Sequence, residues 1–206
     1  MIKRLALIGA SGHGKVIADI ARANGIESIV FYDDRWQEIE ELSGYRVVGD
    51  VAKAMEDAAT KYDAAVVCIG NSSIREAIQQ QLPCVASPLI HPSASVSSSV
   101  KLGLGSVVMP NAVINADSVI GDGVIINSGA VIEHECIIDD FVHICPTAAL
   151  GGGVIVGRRS WIGIGSSIIQ LTTVGSDVTV GAGSVVIRNI ENHQTVVGNP
   201  AKPIKR

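Results

Sequence analysis

Residues 113–144 read VINADSVIGDGVIINSGAVIEHECIIDDFVHI, and an isoleucine recurs there at every sixth position: Ile114, Ile120, Ile126, Ile132, Ile138 and Ile144. The same step continues without a break back through Val108, Leu102 and Val96 to Ile90, and forward through Leu150, Val156, Ile162, Ile168, Val174 and Val180 to Val186. Four residues after each aliphatic comes a small or β-branched residue, such as Ala112, Ser118, Val124, Ala130, Cys136 and Val142. An α-helix needs a period near 3.6 and an isolated strand needs 2, so a period of 6 fits neither. It fits a solenoid whose coil has three short sides of one hexapeptide each, with the large aliphatic pointing into a triangular prism. The sequence therefore predicts an all-β left-handed parallel β-helix. The residue after each aliphatic is often Gly (Gly103, Gly121, Gly151, Gly157, Gly163, Gly175, Gly181) or Asn (Asn115, Asn127), which reads as a corner of left-handed backbone.

Upstream the pattern changes. Lys3–Ala10 reads as a buried strand ending in glycine, and a helical pattern through Val16, Ile17, Ile20 and Ala21 stops near Asn24-Gly25. Ser28–Tyr32 is a second strand, Arg46–Gly49 a short one, 51–60 a helix, Ala64–Gly70 a buried strand, and Ser72 is positioned to cap a helix reaching Gln81. Alternating strands and helices imply a small parallel α/β sheet of the Rossmann kind. Helical patterns end after Pro88, giving a Rossmann-like unit at 1–88 and the β-helix with a closing tail at 89–206.

Composition narrows the function classes. With 16 Lys+Arg against 20 Asp+Glu, a net charge of −4 and no basic run, neither nucleic acid nor an anionic membrane is the expected partner. No stretch approaches the roughly 18 continuous apolar residues of a membrane span, and Met1–Leu5 moves into a strand pattern with no signal-peptide cleavage pattern. Cys68, Cys84, Cys136 and Cys145 have neither CxxC nor metal-ligand spacing, so no metal is expected and a reducing cytoplasm is the expected compartment.

Two places carry chemistry. The loop Gly9-Ala10-Ser11-Gly12-His13-Gly14-Lys15 joins a strand to a helix, where backbone N–H groups and the helix dipole can hold a phosphate. Its spacing is close to a P-loop, but Val16 stands where Ser or Thr would ligate magnesium, which excludes that reading. Asp33-Asp34 ends the second strand where an acidic residue would meet ribose hydroxyls, and Gly70-Asn71 ends another strand on the same edge. Within the prism, one coil contains Glu133-His134-Glu135. Eighteen residues on lies Gly151-Gly152-Gly153, which leaves an open groove over His134. Asp117 lies one coil below Glu135, about 4.8 Å away along the stack, and is an alternative carboxylate partner for His134. His143, under Trp161, is half a coil from His134 and faces another side. The two histidines meet only if prisms pack side by side, which predicts a homotrimer with each site between subunits. The tail Val196–Pro203 leaves the six-residue period and is expected to cover the open end of the prism, where Lys202 could meet an anion.

The hexapeptide prism, the Gly9–Gly14 loop, Ile132-Glu133-His134-Glu135-Cys136 and Gly198-Asn199-Pro200-Ala201-Lys202 together resemble the bacterial sugar acetyltransferases of the PglD/NeuD type. That resemblance implies acetyl transfer from acetyl-CoA to an amine or hydroxyl of a sugar, in glycan biosynthesis. By motif, His134 resembles the general base and Glu135 its neighbouring carboxylate. His143 resembles the histidine that contacts acetyl-CoA, with Ile164 and Ala182 lining the cofactor cleft. Ser11, Gly12, His13, Asp33, Asp34 and Gly70 match the positions that hold a UDP-sugar. The expected reaction is direct transfer to the C4 amine of a UDP-linked amino-dideoxy sugar. A sugar O-acetyltransferase with a sialic-acid-like acceptor is the alternative, since the same base and cleft serve a hydroxyl, and transfer of another acyl group on the same fold is the remaining one. A zinc hydratase on the same prism would require three converging histidines and an HxxxxH spacing that the chain lacks.

Overall fold

The computed structural model describes residues 2–204. Its first part is an α/β unit built on β1 (Arg4–Ile8), which pairs in parallel with β2 (Ser28–Tyr32) and with β5 (Ala64–Val67). Parallel bridges from Phe31 to Val47 and from Ala65 to Val85 extend the sheet at both edges. A small antiparallel hairpin, β3 (Glu41–Leu42) with β4 (Tyr45–Arg46), precedes the Val47 bridge, which is what the structure has of the short strand expected at 46–49. Side chains of β1 alternate between two cores. Leu5 and Leu7 pack with Ile17, Ala18 and Ala21 of α1 (Gly12–Ala23), whereas Ala6 and Ile8 pack with Ala54 and Ala58 of α2 (Val51–Lys61). The third helix, α3 (Ser72–Gln79), is capped by Asn71, whose side chain accepts from Ile74 N at 3.0 Å, and not by Ser72. Asn at the cap suffices, and Ser72 is displaced into the first turn.

From Leu89–Ile90 onward the chain coils. Two-residue strands stack in parallel eighteen residues apart on three sides, for instance Ile126 on Ile144, Ile132 on Leu150 and Ile138 on Val156. The large aliphatics and the small residues four positions on fill a buried axial core from Val108 to Val196, so the chain is a parallel β-helix. Thr195–Val197 then pairs in parallel with Thr179–Val180 and antiparallel with Lys202–Pro203, at the end of the coils.

Left-handed backbone does not fall on the residue after each aliphatic but two residues later, at Gly105, Gly123, Gly153, Gly165 and Gly183 and also at Asp117, Glu135, Phe141 and Leu171. Gly103 and Gly151 are glycine for want of room. A Cβ on Gly103 would collide with the Gly121 carbonyl carbon, and one on Gly151 would lie 2.6 Å from Gln170 N. The left-handed residues ladder instead, each N–H donating to the coil before it, as Glu135 N does to Ala116 O and Gly153 N to His134 O.

The α/β unit lies along one side of the prism. Outward-facing Leu89, Val107 and Ile125 are buried in the same core as Ile17 and Ala21 of α1. Helix α3 buries a polar face against one corner of the prism, and successive residues meet successive coils. Gln79 donates to Leu104 O, Arg75 to Gly123 O and Phe141 O, and Glu76 pairs with Arg158 and Arg159.

Candidate active site

His134 and Glu135 stand on a corner between two sides, where the chain turns. Glu135 has φ 59°, so it is not in an alternating strand, and its carboxylate can return to its neighbour. Its Oε2 lies 3.0 Å from His134 Nδ1. No hydrogen bond joins Asp117 to His134 among the described residues; Glu135 holds the ring. Ser118 secures this corner from within, donating to Glu133 O at 2.9 Å and accepting from Cys136 N at 3.2 Å. The imidazole is 59% exposed and lies directly beneath Gly152, where a Cβ would fall 2.6 Å from Nε2. The glycine triplet does lie over the ring, whose Cε1 and Nε2 take the space that a side chain on Gly152 would occupy. Leu171, one coil higher and 80% exposed, reaches toward Gly153 and forms an apolar wall above it. With Nδ1 engaged by a carboxylate, Nε2 is the nitrogen free to take a proton from a group in the groove.

His143 lies on the side covered by the α/β unit. It continues the outward column of Leu89, Val107 and Ile125, at the point where α1 gives way, and is 6% exposed. Its ring centroid is 4.3 Å from that of Trp161 and 6.4 Å from that of His13. Asn127 Oδ1 accepts from Ser128 N, which turns the Asn127 amide nitrogen toward His143 Nε2 at 3.1 Å. The neutral ring therefore carries its own proton on Nδ1, a buried donor with no acceptor among the described residues. His13, in the first turn of α1, likewise buries Nε2 without a partner among them. Burial, followed by the Arg75 charge, lowers the His13 pKa to about 4. Burial, then Arg75, then His13 lower that of His143 to about 3, so both rings are neutral at physiological pH.

The glycine loop is pinned from β2. Asp33 accepts from Ala10 N at 2.8 Å and from Arg35 N and Nε at 3.0 Å, while Asp34 accepts from Val51 N at the start of α2. Both carboxylates thus support the loop and helix in addition to any ligand. Gly14 is glycine because a Cβ would meet Gly9 O at 2.6 Å and the Phe31 ring at 2.9 Å. Ser11 and Gly12 are exposed, and Gly70 lies half-buried on the same sheet edge. Ile164 and Ala182 stack on a third corner, Gly183 N donating to Ile164 O, and both are exposed. In one chain, then, His13, His143, Gly70 and the glycine loop share one region. His134 with Glu135 stands on a different corner from Ile164 with Ala182. Sequence reading missed Arg75 and the Asn127 contact. An arginine four residues before Gln79 reads as a solvated helix face, and Asn127 reads as a turn residue.

A hexapeptide prism with a histidine–carboxylate pair under bare glycine, joined to a nucleotide-type α/β unit, defines the hexapeptide acyltransferase class. Residues 4–82 match the PglD N-terminal domain, and residues 99–134 match the bacterial transferase hexapeptide (six repeats). The acetyltransferase domain of PglB from Neisseria gonorrhoeae FA1090 is 45% identical, covers 98% of this chain and 100% of its own, and superposes with a TM-score of 0.93. The same domain has been solved in complex with acetyl coenzyme A. PerB from Caulobacter crescentus, solved in complex with CoA and GDP-perosamine, is 38% identical, covers 98% of this chain and 97% of its own, and has a TM-score of 0.89. UDP-N-acetylbacillosamine N-acetyltransferase of Bacillus subtilis (strain 168) is 36% identical over 117 residues, which span 52% of each chain, about half the length of that relative. This chain belongs to the sugar acetyltransferases of the PglD type.

Proposed function

We propose that this protein transfers acetyl from acetyl-CoA to the amine of a nucleotide-linked amino sugar, the C4 amine of a UDP-linked amino-dideoxy sugar being the acceptor. The observation that carries this reading is His134 Nε2, free beneath Gly152 while Nδ1 is held by Glu135. The acceptor amine attacks the thioester carbonyl, and His134 Nε2 takes its proton as the C–N bond forms. Glu135, bonded to Nδ1–H, fixes the tautomer and orients the ring. Collapse of the tetrahedral adduct breaks the C–S bond, and the departing thiolate takes the proton back from His134 Nε2 to leave as CoA. Most of the acceleration comes from holding two bound reactants together.

The α/β unit, residues 1–88, would hold the nucleotide sugar through Ser11, Gly12, His13, Asp33, Asp34 and Gly70. The β-helix, residues 89–206, would hold acetyl-CoA through His143, Ile164 and Ala182. The unsatisfied Nδ1–H of His143 supports a ligand contact there, because a buried donor without an acceptor is costly. Similarity to a protein crystallised with GDP-perosamine and to one named for UDP-N-acetylbacillosamine supports a nucleotide-sugar amine as substrate.

A homotrimer with sites between subunits completes this reading. His134 stands on a different corner from Ile164 and Ala182, so a neighbouring prism would bring them together. Val119, Ile137 and Ile155 form an exposed apolar column on the next side, 40–48% open, which suits burial against another copy. The product would serve glycan biosynthesis from the cytoplasm. The test is CoA release with a panel of UDP- and GDP-linked amino sugars beside their hydroxyl analogues. Release with the amines supports the reading, and acetylation of hydroxyls alone turns it into O-acetyl transfer.

A further inference from the structure

Arg75 is 1% exposed, and its guanidinium touches no carboxylate among the described residues. Its nitrogens donate to neutral oxygens: Nε to Gly123 O at 2.7 Å, one terminal nitrogen to Ile69 O at 2.8 Å and Gly70 O at 2.9 Å. The other terminal nitrogen donates to Phe141 O at 2.7 Å and Ser72 Oγ at 3.4 Å. A buried charge without a counter-ion is expensive and persists only when its hydrogen bonds are well made. Here those bonds run to two places that matter. Ile69 and Gly70 close the β5 strand at the nucleotide edge. Gly123 and Phe141 are left-handed corners on adjacent coils, two residues before Ile125 and His143.

We infer that Arg75 is a positioning residue for the transfer reaction: its fork ties the Gly70 loop to the Gly123 and Phe141 corners and so sets His13 against His143. This rests on the acetyl-transfer reading above. The planar fork matters as much as the charge, because one ammonium cannot reach four carbonyls in these directions. The charge has a second effect on the same pair, adding to burial in keeping both rings neutral.

A neighbouring contact provides the control. Glu76, next on the same helix, also ties α3 to the prism, through Arg158 and Arg159 at the following coil, but touches neither the Gly70 loop nor the histidines. The experiment compares wild type, Arg75→Lys and Glu76→Gln by thermal melting, by kcat and both KM values, and by side-chain nitrogen NMR of His13 and His143. Both variants should melt lower. Only Arg75→Lys should lose activity, with kcat/KM for the nucleotide sugar down about 100-fold, the scale of a misplaced reactant. It should also shift both histidine resonances, while Glu76→Gln keeps kcat and the resonances near wild type. Arg75→Met, which keeps an apolar stem, replaces the lysine variant if that does not accumulate folded. Wild-type kinetics in Arg75→Lys, or losses in both variants that track melting alone, would overturn the inference. So would failure of both Arg75 variants to fold while Glu76→Gln folds, which would make Arg75 a folding residue. Absence of wild-type CoA release would count against the reaction itself, and the resonances would still report whether Arg75 sets the pair.

Discussion

Oε2 of Glu135 lies 3.0 Å from Nδ1 of His134, its immediate predecessor in the chain. Neighbours in a strand point to opposite faces and cannot make that contact. It exists because Glu135 occupies the left-handed corner position, at φ 59°. The pair is therefore a product of the solenoid's turn geometry, and the glycines one coil above leave its other nitrogen open.

Gly152 tests that opening directly. A Cβ there would lie 2.6 Å from both Cε1 and Nε2 of His134, and the ring, being exposed, can swing aside. Gly152→Ala is expected to fold with an unchanged melting point and to lose roughly 10–100-fold in kcat, through displacement of the His134 ring. Steady-state kinetics beside a thermal melt check this, and a fully active variant would show that the groove is not used.

The two buried histidines predict an acid-side loss of stability. The unfolded chain protonates both near pH 6.5, whereas the folded chain does so only near pH 4 at His13 and pH 3 at His143. Both folded values lie below the unfolded one, so their contribution is complete above pH 6.5 and is lost as pH falls toward 4 and 3. The slope is roughly 1.4 kcal/mol per pH unit for each ring inside that window. Urea midpoints at pH 7.5 and 5 should differ accordingly, and the difference should shrink in a His13→Asn, His143→Asn double variant. Equal midpoints in wild type would contradict the buried neutral pair.

Much of this was legible in the sequence for a physical reason. The spacing of Ile114, Ile132 and Leu150 is the coil itself, because each aliphatic must reach the same narrow axis. The approach of His134 to Gly151–Gly153 was legible because that triplet has no side chains to keep the ring away. The corner conformation was not, since two demands select glycine: left-handed backbone at Gly153, and coil-to-coil contact at Gly151. The closeness of His13 and His143 was also hidden, because it depends on how the α/β unit docks, through Leu89, Val107 and Ile125 and through Arg75. Those are single residues without a period.

Ile137, 48% exposed in the middle of the Val119–Ile155 column, tests self-association. Ile137→Glu places a charge where a second prism would press, and burying an unpaired carboxylate costs several kcal/mol. Sedimentation should show a trimer for wild type and a smaller species for the variant, with activity falling alongside. A wild-type monomer with full activity would contradict sites between subunits.

If His134 removes the proton from a nucleotide-sugar amine, CoA release must depend on its imidazole, and comparing His134→Ala with wild type reads that dependence. Release should be rapid with a UDP-linked 4-amino sugar in wild type and fall about 100- to 10,000-fold in the variant, the range for loss of a general base. A variant that turns over as fast as wild type would contradict it.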